Sequence, residues 1–295
     1  MIKVLGLSLY GELAASHRYR LKQYTSVLLD YGIELEIFSL LNDDYLKRRF
    51  DGKRVSVGNI ISSAISRLQV IANQDEYDCA IVHCELFPLM PSLLESKILK
   101  IPYIYDFDDA WYLRYKQGRL SYFSFFLGNK IDVFIKNAAA VTAGNSFLAS
   151  YALNYNKNVT ILPTVVDTNY YVDYSEKYSN NDTFTIGWIG SVSTCQYLTE
   201  LILPLEKLGL ILNVRLVIVG GSAPDISNIE IVEIPWSIDT EVSIIKDFDV
   251  GVMPLFDDEW SRGKCAFKLI QYMACGVPVV ASRVGENIQL VSEES

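Results

Sequence analysis

The sequence predicts an α/β protein of two doubly wound parallel-sheet domains, and three observations carry that expectation. Its 295 residues are about twice the ~150 that a single domain commonly takes. Short β-branched or apolar runs alternate with longer segments of helical spacing, the mark of parallel strands joined by crossover helices. A stretch dominated by Asp, Asn, Ser and Tyr interrupts that alternation near the middle and has the composition of a linker. Together these place one domain at 1–165, a linker at 166–182 and a second domain at 183–295.

In the first domain, strand patterns fall at 2–9, 33–39, 78–84, 103–107, 139–143 and 159–162, the last ending at Pro163. Helical spacing separates them at 17–31, closed by Gly32, at 57–73, near 89–99, near 120–137, and after Asn145 or Ser146. In the second domain the strands are 183–190, 213–219, 229–234, 249–254 and 277–281. The helices there fall at about 195–209, at 239–247 and 264–274, and from near 286. No repeat of solenoid period is present.

A hydrophobic fraction of 50% with 21% charged residues describes an ordinary folded chain and excludes disorder. A net charge of −9 argues against general nucleic-acid binding, which needs a basic face. The charge is uneven: residues 1–170 carry 18 Lys and Arg against 17 Asp and Glu, and 171–295 carry 8 against 18. The two halves therefore face different partners. Five cysteines, with no CxxC pair, lie mostly in apolar runs, as reduced core residues do. The start Met1-Ile2-Lys3-Val4-Leu5-Gly6 leads directly into a strand, without a cleavable signal, and no apolar run reaches membrane-spanning length. A cytoplasmic protein is expected.

Ligands of open parallel sheets bind beyond the carboxyl ends of the strands, so the residues that follow each strand are the candidates. Gly190-Ser191-Val192-Ser193-Thr194 is a small-residue turn opening a helix. It reads either as a phosphate-holding helix start or as a plain capped one. Neither GxGxxG nor GxxxxGK[ST] occurs, so the dinucleotide and P-loop signatures are missing. The sharpest signal runs from Arg262 to Ala281. Helical spacing would put Lys264, Lys268 and Gln271 on one face, with two cations at a helix N-terminus where the dipole disfavours them unless an anion is bound. A pyrophosphate would supply that anion, with Gln271 reaching a ribose or sugar hydroxyl. The alternative is a solvated amphipathic face.

Gln271-Tyr272-Met273-Ala274-Cys275-Gly276-Val277-Pro278-Val279-Val280-Ala281-Ser282 resembles the nucleotide-sugar motif of glycosyltransferase family 4. Val159–Pro163 with Val166-Asp167-Thr168, Gly187-Trp188-Ile189-Gly190-Ser191, and His17-Arg18-Tyr19-Arg20 are similar to other parts of the same family. The resemblance implies two Rossmann-like domains facing a central cleft (the GT-B fold), with the second domain incomplete because the family usually continues past Ser295. It implies a retaining glycosyltransferase without an obligatory metal or other cofactor. A UDP- or GDP-sugar would be the donor substrate, bound by Gly190, Ser191, Ser193, Arg262, Lys264, Lys268 and Gln271. The family commonly carries two glutamates eight positions apart, and here Gly263 and Gln271 stand at those positions. An Arg and Lys pair after the first strand of the second domain is also missing, since Ser191, Ser193 and Thr194 stand there.

In the first domain, Tyr105-Asp106-Phe107-Asp108-Asp109-Ala110 follows a strand end, where this fold places a catalytic polar residue. Asp106, Asp108 and Asp109 are the catalytic candidates, Asp106 first. Three carboxylates in four positions raise one another's pKa values, which suits contacts to sugar hydroxyls or proton acceptance. A divalent-ion site is the alternative, though no ligating histidine lies near in sequence. His17, Arg18, Arg20, His83 and Glu85 are the acceptor-side candidates. Arg114, Lys116 and Arg119 precede the aromatic run Tyr122–Leu127, which suits an anionic membrane surface or else is buried against the sheet. On the first reading the acceptor is a lipid-linked glycan of bacterial surface-polysaccharide or lipopolysaccharide assembly, met at the cytoplasmic face of the membrane. The competing readings are an inactive sugar-nucleotide-binding or accessory protein and a sugar-nucleotide 2-epimerase.

Overall fold

A computed structural model describes residues 1–50, 52–171 and 183–291. The chain divides into two compact units: Met1–Thr164 with Gly263–Cys265, and Val165–Arg262 with Ala266–Ser295. Most of the expected linker at 166–182 lies outside the described residues.

The first unit holds a six-stranded parallel sheet of β1 (Ile2–Tyr10), β2 (Ile33–Leu41), β3 (Cys79–His83), β4 (Tyr103–Phe107), β5 (Ala140–Ala143) and β6 (Val159–Ile161), in the order β2-β1-β3-β4-β5-β6. Six successive residues of β1, Val4 to Leu9, are buried, as expected of a central strand covered on both faces. The chain leaves β1 to one side for β2 and returns on the other side for β3. The topological switch point therefore lies between β1 and β3.

The second unit holds β7 (Phe184–Ile189), β8 (Val214–Val219), β9 (Glu230–Ile234), β10 (Val250–Met253) and β11 (Val279–Ala281), all parallel, in the order β11-β10-β7-β8-β9. Alternation along β8 sends Leu216 and Ile218 into one core cluster and Val217 and Val219 into the other. Here the switch point falls between β7 and β10. The two strands pair only at Val250–Ile186 and Gly251–Gly187. Beyond that, the backbone N–H of Ile189 donates to the Tyr272 hydroxyl at 3.0 Å, and that hydroxyl lies 3.4 Å from Val252 O. Tyr272 thus wedges the strands apart at their carboxyl ends, and Gly251 makes room for its ring. Every predicted strand is present within two residues of its expected bounds at either end.

The helices differ more. The segment expected as one helix over 17–31 breaks at Leu21 into Ala15–Arg20, a 3-10 turn and Thr25–Asp30. The segment near 89–99 keeps only Ser92–Glu95. The one over 195–209 is a 3-10 run, Val192–Leu201, followed by an α-helix, Ile202–Gly209. The helix expected from 264 begins at Phe267, because Ala266 takes the left-handed conformation with φ +51°. Lys264 is therefore not on that helix. An additional helix, Asp43–Phe50, follows β2. Thr168–Tyr171, read as linker, forms a helical turn with Tyr171 buried in the second unit.

Candidate active site

The carboxyl ends of β1, β3 and β4 collect the charged residues of the first unit. The β3–β4 register sets His83 opposite Asp106, so residues 23 apart in sequence become neighbours. Asp106 is buried and both its oxygens are taken. Oδ2 accepts His83 Nδ1 at 2.8 Å and Arg20 Nε at 3.1 Å, while Oδ1 accepts Thr142 Oγ1 at 2.6 Å and Arg20 Nη2. Arg20 Nη1 also donates to the Leu162 carbonyl. Although burial acts to raise it, the His83 and Arg20 hydrogen bonds and charges hold the Asp106 carboxyl far below the ordinary range. The expectation that crowding raises all three aspartates thus fails for Asp106 and holds for Asp108. Asp108 goes up through burial and the neighbouring Asp109 and Asp106, against the pull of His83 and Arg20.

Asp108 and Asp109 lie beyond the strand and keep partial exposure. Lys264 Nζ is 3.5 Å from Asp109 Oδ1, and Cys265 Sγ donates to Asp108 O at 3.1 Å. Lys264, expected to hold phosphate, is engaged with an aspartate of the first unit. Asn145 caps the helix Ser146–Ala152 through the Leu148 N–H, and its amide donates to the carbonyls of Gly263 and Lys264. At Gly263 a Cβ would lie 2.8 Å from Ala110 Cβ.

Burial drives His17 below the usual histidine range; its Nδ1 is 3.0 Å from both Ser8 Oγ and the Tyr10 carbonyl. Arg18 donates to the Glu12 and Leu13 carbonyls and stacks over Tyr19. Glu85 is buried, with Arg114 at 2.7 Å, the Tyr115 hydroxyl at 2.7 Å and Lys130 at 3.3 Å. Lys130 also lies 3.1 Å from Glu95, whose carboxyl rises to about 7, chiefly through burial. Glu95 and Lys130 escaped sequence reasoning because nothing local marks a helical Glu or Lys as buried. Arg114 and Lys116, read as part of a basic surface patch, turn instead onto Glu85 and Asp132. The aromatics beside them are exposed: Tyr122 and Phe125 at 90%, Phe123 and Phe126 at half or more.

In the second unit, glycines follow β7 and β8 where packing leaves no room for a side chain. A Cβ on Gly190 would strike the Trp188 ring, and one on Gly220, at φ +79°, would lie 2.4 Å from the Gly190 carbonyl. Ser191 caps the following 3-10 helix in a reciprocal capping box with Thr194, and its Oγ meets Ser193 Oγ at 2.9 Å. Lys268, in the first turn of Phe267–Ala274, stands over the buried Trp188 ring at 5.6 Å. Gln271 does not share an exposed face with it: it is buried and donates to the Tyr171 hydroxyl at 3.2 Å. Arg262 is exposed, with Nε 2.8 Å from Asp257 Oδ1.

Two parallel-sheet, Rossmann-like units of this kind make up the GT-B fold. Residues 183–295 match the family model described as glycosyl transferases group 1. The Anabaena protein HepE, solved in complex with UDP and glucose, superposes with a TM-score of 0.64 at 15% identity, over 99% of this chain and 84% of its own. Sucrose-phosphate synthase from Thermosynechococcus elongatus gives 0.68 at 12% identity, over 100% and 84%. WaaG, a glycosyltransferase involved in lipopolysaccharide biosynthesis, gives 0.62 at 14%, over 97% and 83%. No curated protein sequence matches the chain. Among the described residues, no helix is long and apolar enough to cross a membrane.

Proposed function

We propose that the chain is a retaining glycosyltransferase that takes a sugar from a nucleotide-sugar donor. The observation that carries the proposal is the second unit. It matches a glycosyltransferase family model over its strands and helices, and at its switch point bare glycine backbone adjoins Lys268 and the Ser191 turn. Backbone N–H groups and one cation at the start of an eight-residue helix suit a diphosphate. HepE, with UDP and glucose bound, supports the same class of ligand. In this reading Lys268 binds the phosphates, with Gly190, Ser191 and Ser193 beside them. Gln271 acts through Tyr171 instead of touching the ribose directly. Asp108 and Asp109, the carboxylates with exposure, contact sugar hydroxyls or accept the proton of the incoming hydroxyl. Asp106, saturated by protein donors, positions His83 and Arg20.

The exposed Tyr122, Phe123, Phe125 and Phe126 support a lipid-linked acceptor presented at a membrane surface. Aromatic insertion, more than basic attraction, would hold the protein there, because Arg114 and Lys116 pair internally.

The test is a thermal-shift and calorimetric titration with UDP, GDP, ADP and their sugar conjugates, followed by assay of donor consumption. A selective shift for one nucleotide is expected. Lys268→Ala should weaken that binding at least tenfold while leaving the circular dichroism spectrum unchanged. Undiminished affinity would remove Lys268 from the donor site, and no binding by the wild type would leave an accessory role.

A further inference from the structure

Three side chains of the first unit turn donor atoms of three different kinds toward one point. His83 Nε2 lies 3.1 Å from Cys84 Sγ and 3.9 Å from Asp108 Oδ1, and Cys84 Sγ lies 4.0 Å from the same oxygen. A tetrahedral cation with bonds of ~2.0–2.3 Å holds its ligand atoms about 3.3–3.6 Å apart, so small adjustments bring this triangle to a coordinating geometry.

The surroundings fix the ligands in that attitude. His83 Nδ1 donates to Asp106 Oδ2 at 2.8 Å, so the ring in its neutral, metal-binding form presents the Nε2 lone pair to Cys84 and Asp108. Carboxylate–histidine pairing of this type orients metal-bound imidazoles. Cys84 sits at φ +67°, a conformation costly to a non-glycine residue. Its N–H donates to the Asp106 carbonyl at 3.0 Å, and its carbonyl accepts the Tyr105 hydroxyl at 2.8 Å. The strained backbone is thus pinned on both sides and aims the thiol at His83 and Asp108.

From this arrangement we infer that His83, Cys84 and Asp108 form a three-ligand site for zinc(II). A nitrogen, a sulfur and an oxygen donor match a borderline-soft cation better than magnesium or calcium, which prefer all-oxygen shells. The charges balance as well: the Cys84 S–H proton leaves to solvent as the sulfur–zinc bond forms, and thiolate plus carboxylate neutralise the dication. His83 and Cys84 are buried, whereas Asp108 is partly exposed. The fourth position therefore faces the open side, where water or a hydroxyl-bearing ligand completes the shell. This inference does not rest on the transferase reading, since it is read from the metal alone.

The experiment uses the full chain, stripped with a chelator and titrated with cobalt(II) as a spectroscopic stand-in for zinc. One equivalent should bind, with a near-ultraviolet thiolate-to-cobalt charge-transfer band that zinc then abolishes by displacement. Cys84→Ser should lose the band. Cys265→Ser, which removes the thiol next to the Asp108 carbonyl, should keep it. Asp108→Asn, at a partly exposed position, should retain the band at saturating cobalt but weaken binding at least tenfold; it serves as the test if Cys84→Ser fails to fold. Absence of a band in the wild type, a band that survives in folded Cys84→Ser, or unchanged affinity in Asp108→Asn would overturn the site.

Discussion

Carboxylates of similar sequence appearance end in very different electrostatic settings. Asp106 is surrounded by donors and stays ionised, whereas Glu95 has Lys130 and one backbone N–H, from Phe87, in a buried setting shared with Glu85. Its carboxyl stands near 7 against an ordinary value of 4.5. A carboxyl raised in the folded state binds its proton more tightly there than in the unfolded chain, so folding stability falls as pH rises from about 4.5 to about 7. The integrated loss is on the order of 3 kcal/mol. Glu95→Gln removes that titration. The stability of the variant minus that of the wild type, from urea unfolding at pH 5 and pH 8, should therefore shift in the variant's favour by about that amount. A pH-independent difference would show that Glu95 titrates normally.

At the level of elements, the strands follow closely from the amino-acid pattern and the helices do not. A strand such as Tyr103–Phe107 is specified by a run of β-branched and aromatic residues in one short window. The start of the helix Phe267–Ala274 is decided elsewhere: Gly263–Cys265 packs with Ala110, Asp108 and Asn145 of the first unit, and Ala266 turns left-handed before the helix begins. Helical periodicity alone cannot reveal that, and Lys264 lies before the helix instead of on its face. The carboxylate cluster was legible as a motif, but its histidine and cysteine partners were not, because strand register brings them together. The same packing makes Gly263 intolerant of a side chain. Gly263→Ala, with a Cβ 2.8 Å from Ala110 Cβ and 3.0 Å from its backbone N, should destabilise by ~1–3 kcal/mol, seen as a lower urea midpoint at unchanged slope. Gly263→Glu should cost at least as much. A glutamate accepted there without loss would mean that the contact with Ala110 does not exclude a side chain at this position.

For the molecule as a whole, the uneven charge and the aromatic run divide its surface by character. The strongly acidic 171–295 half suits free solution, while the nearly neutral half bears four neighbouring aromatics with half or more of their surface exposed. Replacing Tyr122 and Phe125 with serine should leave the melting temperature unchanged. Cosedimentation with phospholipid vesicles should fall roughly tenfold for each aromatic removed, since burying such a side chain is worth ~1.5 kcal/mol or more. Equal sedimentation of wild type and variant would dissociate the aromatics from membranes. The assignment of Gly263–Cys265 to the first unit has a further consequence for how the protein can be divided. A polypeptide ending at Thr164 would leave the Asn145 amide without its two carbonyl acceptors and a void beside Gly144, where Cys265 Sγ now packs. Supplying residues 263–265 in a covalent loop should raise the melting temperature of such a fragment. The gene therefore offers no single cut that yields an intact first unit, and the packing of that unit is completed by a tripeptide made about a hundred residues later.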